Sequence, residues 1–176
     1  MTFNELIQLE GLVVEKAKTE PVFRQGDNNQ SLYFLQSGLL KAYYTCVDGK
    51  EFIKSFVMPG DTIGSLTSVH AKERCSFSLM CLEPSSLIEI PFVKIREHCA
   101  KDPELAQHMI EFLLQFSMKK EKREFQLLCL SAKDRYTLLL EESPQLLQQV
   151  TQNDLARYLG VTPVGLSRIK NRVLKA

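Results

Sequence analysis

Apolar and polar positions change pattern twice along this chain of 176 residues. From Thr19 to Ile90, β-branched and aromatic residues form short runs such as SLYFLQ, LLKAYYT, EFIKSFV and SFSLMCL. Glycine turns separate these runs at intervals of about 11 residues, which is typical of short antiparallel strands in a sandwich or barrel. The strongest hairpin signal is Asp48-Gly49. The pattern predicts a small closed β-roll, with space for a pocket inside it.

A helical pattern replaces the strands after position 101. Asp102 is suited to cap a helix and Pro103 to occupy its first position, and no glycine or proline follows before Ser131. Such a helix would be about 40 Å long at 1.5 Å per residue. We expect one of its two adjoining apolar stripes to pair with a second copy of the chain, because so long a helix overruns a β-roll of this size. The alternative is a helix buried wholly on its own domain. The stripes contain Leu105, Met109, Phe112, Leu113, Phe116 and Leu127.

Residues 151–176 contain two short amphipathic patterns on either side of a glycine turn. Thr151 is suited to cap the first helix, and Gly160 to end it in the left-handed conformation. Thr162 can cap the second helix, with Pro163 at its first position. From Thr162 onward there is no acidic residue. The pattern predicts a helix-turn-helix, whose second helix enters the major groove of double-stranded DNA.

The face of this second helix opposite its apolar stripe supplies the candidate DNA contacts. Arg168 is expected to read bases, because it lies in the N-terminal half of the helix. The later cations Lys170, Arg172 and Lys175 are expected to contact phosphates. The alternative is a capped helical hairpin with a solvated basic face. The DNA-binding residues that we predict are Thr151, Thr162, Val164, Ser167, Arg168, Lys170, Asn171 and Arg172.

Composition and charge exclude several classes of function. The net charge is only +1, so any affinity for DNA must be local to the C-terminal helix. No stretch of 18 apolar residues occurs and the N-terminus carries acids, so we expect a cytoplasmic protein without a membrane segment. The five cysteines form no CxxC pair, and no nucleophile triad or phosphate-binding loop is present. We therefore expect neither a disulfide framework nor catalytic residues.

A metalloenzyme of the double-stranded β-helix type is the enzymatic alternative. Such a site needs two or three histidines and a carboxylate that converge inside the barrel. Of the three histidines only His70 falls in the predicted strand region, near Cys75 and Cys81. We therefore predict no metal site.

Six motifs occur in a fixed order: VFRQGD, SLYFLQSGLLKAYY, DGKE, VMPGDTIGS, DPEL and DLARYLGVTPVGLSRIKNR. In this order and spacing they resemble the Crp-Fnr family of bacterial transcription regulators over nearly the whole chain. The resemblance implies an α+β fold in three parts. These are an antiparallel β-roll of the cyclic-nucleotide-binding type (1–101), a dimerisation helix (102–130) and a small helix-turn-helix domain (131–176). It also implies a homodimeric, DNA-binding transcription regulator that works with RNA polymerase.

Two departures from the family concern the DNA-binding end. Family members usually continue from the recognition helix into a β-hairpin wing, whereas this chain stops two residues after Leu174, so we expect an incomplete wing. The second position of the recognition helix is often glutamate in relatives, but here it is Val164, which can offer only apolar contact to a thymine methyl. These departures leave a second hypothesis open, a ligand-binding or scaffold protein with degenerate DNA binding.

The effector site departs further from the family. Members that bind cyclic AMP carry a Gly-Glu pair for the ribose and an Arg-Ser or Arg-Thr pair for the phosphate. The corresponding pairs here are Gly64-Ser65 and Arg74-Cys75, separated by the predicted loop SLTSVHAKE. Losing a carboxylate and a hydroxyl removes hydrogen bonds worth about 1.5 to 3 kcal/mol each, so cyclic AMP is disfavoured. The effector stays unknown, with a small anion as one alternative. The resemblance implies effector contacts from Gly64, Ser65, Leu66, Arg74, Cys75, Lys120 and Glu121.

Overall fold

The chain forms two compact units. The computed structural model describes residues 1–173, with a first unit over Met1–Leu114 and a second that begins at Gln115. The first unit contains α1 (Phe3–Glu10), β1 (Leu12–Lys16), β2 (Pro21–Phe23), β3 (Ser31–Ser37), β4 (Leu40–Thr45), β5 (Glu51–Val57), β6 (Thr62–Ile63), α2 (Leu66–Ala71), β7 (Ser78–Cys81), β8 (Ser85–Pro91) and α3 (Phe92–Cys99). The long helix α4 (Pro103–Cys129) belongs to both units. The second unit continues with α5 (Ala132–Glu142), α6 (Leu146–Gln149), α7 (Gln152–Leu159) and α8 (Pro163–Val173).

The strands form two four-stranded antiparallel sheets, in the orders β1-β8-β3-β6 and β2-β7-β4-β5. The hairpin between β4 and β5 turns at Asp48-Gly49, where Gly49 has a φ of 80° that side-chain-bearing residues rarely adopt. The α+β fold with an N-terminal β-roll, a long helix and C-terminal helices is therefore confirmed. The prediction of an incomplete wing falls on residues 174–176 and lies outside the described residues.

Apolar side chains fill the space between the two sheets. Because alternate residues of a strand point to opposite faces, each strand sends one set of side chains inward. Phe23 packs against Tyr33 and Phe77, with ring centroids 6.0 and 5.3 Å apart. The interior of the roll is therefore occupied by the protein's own side chains. The buried residues of this cluster are Phe23, Tyr33, Leu35, Leu40, Ala42, Val57, Ile63, Cys75, Phe77, Leu79, Cys81 and Leu87.

A second cluster joins α1, α3 and the start of α4 to the outer face of the roll. Leu105 and Met109 are buried in it, so this part of α4 packs on the first unit. Asp102 caps α4, because its Oδ1 accepts hydrogen bonds from the backbone of Glu104 at 3.0 Å and Leu105 at 3.1 Å. The backbone donor of Leu105, followed by the N-terminal ammonium of Met1, holds the pKa of Asp102 below its usual value. The predicted start of the long helix agrees with the structure.

Two expectations for the segment between β6 and β7 were wrong. The stretch expected as a loop forms α2, which Ser65 precedes as its N-cap residue. His70 lies exposed on this helix and not in a strand, so its side chain does not point into the roll. Within residues 1–173, no group of three or more His, Cys, Asp or Glu side chains is placed to share a metal ion. No helix in the same range is both long and apolar enough to cross a membrane.

Candidate nucleic-acid interface and effector site

Side-chain caps fix the start of both helices of the helix-turn-helix. The hydroxyl of Thr151 accepts a hydrogen bond from the backbone of Asp154 at 3.1 Å. The hydroxyl of Thr162 does the same for Gly165, also at 3.1 Å. Between them, Gly160 ends α7 with a φ of 68°. The predicted capping residues are therefore used as expected, and Gly160 forms the turn between the helices.

The buried and exposed faces of α8 follow the helical period. Leu166 is buried, with Ile169 and Val173 half-buried at the next turns on the same side. Val164, Ser167, Arg168 and Asn171 are exposed, and their spacing of three and four residues places them on one face. Val164 is 63% exposed although it is apolar. Four of the predicted DNA contacts therefore form one continuous surface, which we call the reading face.

Two further cations of α8, Lys170 and Arg172, were predicted as phosphate contacts. Arg172 is exposed in the last turn of α8. Lys170 is half-buried, and its Nζ donates a hydrogen bond to Gln152 Oε1 at 2.8 Å. This bond joins α8 to α7, so the Lys170 side chain is partly engaged within the protein. Lys175, the third predicted phosphate contact, lies outside the described residues.

Two arginines that the sequence did not assign to the helix-turn-helix support it. Arg135 donates to the backbone oxygen of Leu159, at the end of α7. The guanidinium of Arg123 lies over the ring of Tyr158, the residue before Leu159, at 3.8 Å from the ring centroid. Little in the sequence indicated this contact, since Arg123 belongs to the charged run KKEKRE, which is typical of a solvated helix face.

The five first-unit residues predicted for the effector site lie at the start of α2 and in the segment between α2 and β7. Gly64 lies so close to β3 that a Cβ there would be 2.6 Å from Leu32 Cδ2 and 2.8 Å from the backbone oxygen of Ser31. Ser65 is 1% exposed, and its hydroxyl accepts a hydrogen bond from the backbone of Ser76 at 3.2 Å. The same hydroxyl lies 3.0 Å from Thr67 Oγ1. The hydroxyl of Ser65 thus has two hydrogen-bond partners within the protein.

The second predicted pair, Arg74-Cys75, points in two directions. Arg74 is exposed, whereas Cys75 is buried in the roll interior. The Cys75 backbone donates to Asp27 and accepts from Gly26, both at 2.8 Å, so the segment before β7 is tied to the loop after β2. Leu66, the first residue of α2, is half-buried.

The last two predicted effector residues, Lys120 and Glu121, are exposed on α4 in the second unit. Lys120 Nζ lies 4.6 Å from the ring centroid of Phe116. Partial burial lowers the pKa of Lys120. The assignment of the effector site stays a prediction.

Comparisons with known proteins support the resemblance seen in the motifs. The family model of the cyclic nucleotide-binding domain matches residues 13–102. The electron transport regulator A of Shewanella oneidensis is 29% identical over 187 residues, covering 98% of this chain and 74% of that protein. The regulatory protein HlyX of Actinobacillus pleuropneumoniae is 28% identical over 188 residues, covering 98% and 77%. The chain therefore has bacterial regulators as relatives along nearly its whole length.

A solved structure agrees with the fold. FixK2 from Bradyrhizobium japonicum superposes with a TM-score of 0.82 and 16% sequence identity, covering 94% of this chain and 85% of that one. The β-roll, the long helix and the capped helix-turn-helix described above occur together in that order. With its cyclic nucleotide-binding domain and its regulator relatives, the chain belongs to the Crp-Fnr family of transcription regulators.

Proposed function

We propose that this regulator binds double-stranded DNA as a homodimer, with α8 in the major groove. The reading face carries the proposal. Val164, Ser167, Arg168 and Asn171 form one exposed surface, and from Thr162 to Val173 no acid opposes it. Such a surface combines an apolar contact, a hydroxyl, an amide and a guanidinium, which are the groups that read base edges. Thr151, Thr162, Lys170 and Arg172 complete the proposed interface as phosphate or backbone contacts.

The exposed face of α4 supports the dimer. Along the helix, seven large apolar side chains are exposed to solvent. Leu114 and Leu128 are 53% and 76% exposed. Leu114, Met118, Phe125 and Leu128 follow the alternating steps of four and three of a two-helix seam, with Glu121 at the position between Met118 and Phe125. Paired helices would present two copies of α8, as a two-fold symmetric DNA site requires. The exposed residues are Ile110, Leu113, Leu114, Met118, Phe125, Leu127 and Leu128.

The exposed seam differs from the stripe expected from the sequence. Of the six residues in the predicted stripes, only Leu113 and Leu127 are among the exposed large apolar residues. Leu105 and Met109 are buried, and Phe112 and Phe116 are half-buried. We therefore assign the dimer seam to Leu114, Met118, Phe125 and Leu128, which are exposed and share one face, within the proposed dimerisation helix 102–130.

We further propose that the effector domain, residues 1–101, does not respond to cyclic AMP. The support is the internal use of Ser65 and the burial of Cys75. Residues 131–176 form the proposed DNA-binding domain. The proposal includes RNA polymerase as a partner, a cytoplasmic location and no catalytic role, in keeping with the regulators among the relatives.

Selection from random duplexes tests the proposed function. Purified full-length protein is incubated at low salt with duplexes that carry a random segment, and bound duplexes are sequenced after several rounds. We expect a two-fold-related motif, with half-sites about one helical turn apart. Enrichment of no such motif, with weak binding to all duplexes alike, would favour the scaffold hypothesis.

A further inference from the structure

The carbonyl ends of α4 and α7 share one guanidinium, that of Arg135. In the first turn of α5, Arg135 Nη1 donates to the backbone oxygen of Leu130 at 2.6 Å, just after α4. Its Nη2 donates to the backbone oxygen of Leu159 at 2.8 Å, the last residue of α7. The last carbonyls of a helix have no partner within the helix. One planar group with fixed donor directions thus satisfies two helix ends at once.

Arg123 makes a second connection between the same helices. It projects from α4, stacks over the ring of Tyr158 and donates from Nη2 to the Tyr158 backbone oxygen. Burial lowers the pKa of Arg123, and the like charge of Arg135 adds to that effect. Neither arginine has an acidic partner within residues 1–173. The compensating negative charge comes from the carbonyl ends of the helices, each equivalent to about half an elementary charge.

Hydrogen bonds of α7 connect these arginines to α8, which carries the reading face. The turn after α7 is closed by a hydrogen bond from Val161 to the backbone oxygen of Ala156, at 3.0 Å. Lys170 of α8 donates to Gln152 of α7. The position of α8 is therefore set by the position of α7.

We infer that Arg123 and Arg135 are positioning residues, which fix the helix-turn-helix on the dimer helix and thereby set the distance between half-sites that the dimer accepts. The inference rests on the proposed DNA binding by a dimer. A lysine at either position keeps the charge but has no planar fork. At position 135 it cannot hold two carbonyl groups in fixed directions, and at position 123 it cannot stack over the Tyr158 ring while it donates to the Tyr158 backbone oxygen.

The experiment measures affinity for duplexes that carry the selected half-sites at the selected spacing, or with one base pair added or removed. For the natural protein, the changed spacing should weaken binding about tenfold or more. Arg135→Lys and Arg123→Lys should reduce this penalty to about threefold, with base discrimination inside each half-site unchanged. Arg157→Lys, the same exchange at an exposed residue of α7, is the control and should keep the full penalty. Equal weakening at every spacing, with the penalty intact, would show a merely structural role and overturn the inference.

A second measurement needs no DNA. Spin labels are placed by genetically encoded amino acids at the exposed residues Glu124 on α4 and Asn153 on α7, and labelled chains are diluted with unlabelled protein. The natural protein should give one narrow distance distribution, and Arg135→Lys a broader one. Unchanged width would overturn the inference, even if no DNA motif is selected and the proposed function fails. If circular dichroism shows that Arg135→Lys loses helix, Arg123→Lys decides, since it keeps the bonds of Arg135.

Discussion

The side-chain oxygen of Ser65 accepts a hydrogen bond from the backbone nitrogen of Ser76, 3.2 Å away. The resemblance to the family predicts that Ser65 lies at the ribose position and Arg74-Cys75 at the phosphate position of a nucleotide site, and Ser76 directly follows that pair. If this prediction holds, the bond joins the two ends of the effector site, and Ser65, which is 1% exposed, uses its hydroxyl within the protein.

Cyclic AMP should not stabilise this protein against thermal unfolding. At about 1 mM, cyclic AMP should not raise the melting temperature, whereas a ligand at 100 times its dissociation constant would add about 2.7 kcal/mol to the free energy of unfolding. Thermal unfolding with and without the nucleotide is the measurement. A clear upward shift would show that Ser65 and Cys75 were assigned wrongly.

Ser65 itself should contribute to stability. Ser65→Ala removes the acceptor of the Ser76 bond, so the free energy of unfolding should fall by about 0.5 to 1.5 kcal/mol. Thr67→Ala is the control, because it removes only the neighbouring hydroxyl and leaves the Ser76 bond in place. Urea denaturation measures both. A Ser65→Ala loss no larger than that of Thr67→Ala would mean that the Ser65–Ser76 bond adds little.

Tyr33 gives a prediction for alkaline pH. Its hydroxyl accepts from Asn29 Nδ2 at 2.7 Å and donates to Glu89 Oε1 at 3.1 Å. Burial, as the largest cause, raises the pKa of Tyr33 to about 12. The folded state thus favours the neutral phenol. The contribution of Tyr33 to the free energy of unfolding is therefore complete below about pH 10, where an unfolded tyrosine ionises, and is lost as the pH rises toward 12. Absorbance titration of the natural protein and Tyr33→Phe measures it. Identical titration steps near pH 12 would contradict the assignment.

The dimer is tested by two neighbouring positions on α4. Leu114→Lys places a charge in the exposed seam, and because Leu114 is half-exposed in the protomer, the fold of each chain should survive. The dissociation constant of the dimer should rise by at least about tenfold, since burying an unpaired charge costs more than the lost apolar contact. Gln115→Lys adds the same side chain about 100° around the helix and should leave the dimer intact. Sedimentation equilibrium measures both. Equal behaviour of the two variants would place the seam elsewhere.

The fold was predictable because the strands, caps and turns are encoded locally. Thr151, Gly160 and Thr162 are each recognisable from neighbouring residues, and the structure uses them as expected. The hydrogen bonds of Arg123 and Arg135 to the helix ends were not predictable, because their acceptors are backbone oxygens that every helix end provides. The sequence also did not show which apolar side chains of α4 stay exposed, since Leu105 and Met109 are buried whereas Leu114 and Leu128 are exposed. Periodicity gives the apolar stripes of a helix but not which one its own domain covers.

Val164 should determine the base preference at one position of each half-site. As an exposed valine on the reading face, it offers contact only to a thymine methyl, whereas Val164→Glu would accept a hydrogen bond from the amino group of cytosine. Selection with the variant should replace thymine by cytosine at one position, with discrimination of about 1 to 3 kcal/mol. Asn153→Glu, which adds the same charge on α7, should weaken binding without changing the selected base. An unchanged motif for Val164→Glu would remove this residue from the base contacts.

Replacing Arg168 or Arg172 by alanine should affect DNA binding differently, although both are exposed arginines on α8. Arg168 lies on the reading face between Ser167 and Asn171, where its guanidinium can donate two hydrogen bonds to a guanine. Arg168→Ala should therefore cost about 1 to 3 kcal/mol on the selected site and abolish discrimination at one base pair per half-site.

Arg172 lies in the last turn of α8, away from the N-terminal half that reads bases. Arg172→Ala should weaken binding to all sequences alike and reduce the salt slope by about one per protomer, because one phosphate contact is lost. Affinities for the selected site and for single-base variants, measured at several salt concentrations, separate the two roles. If Arg168→Ala keeps every base preference and lowers affinity uniformly, then the reading face contacts only the phosphate backbone, and sequence recognition by α8 is excluded.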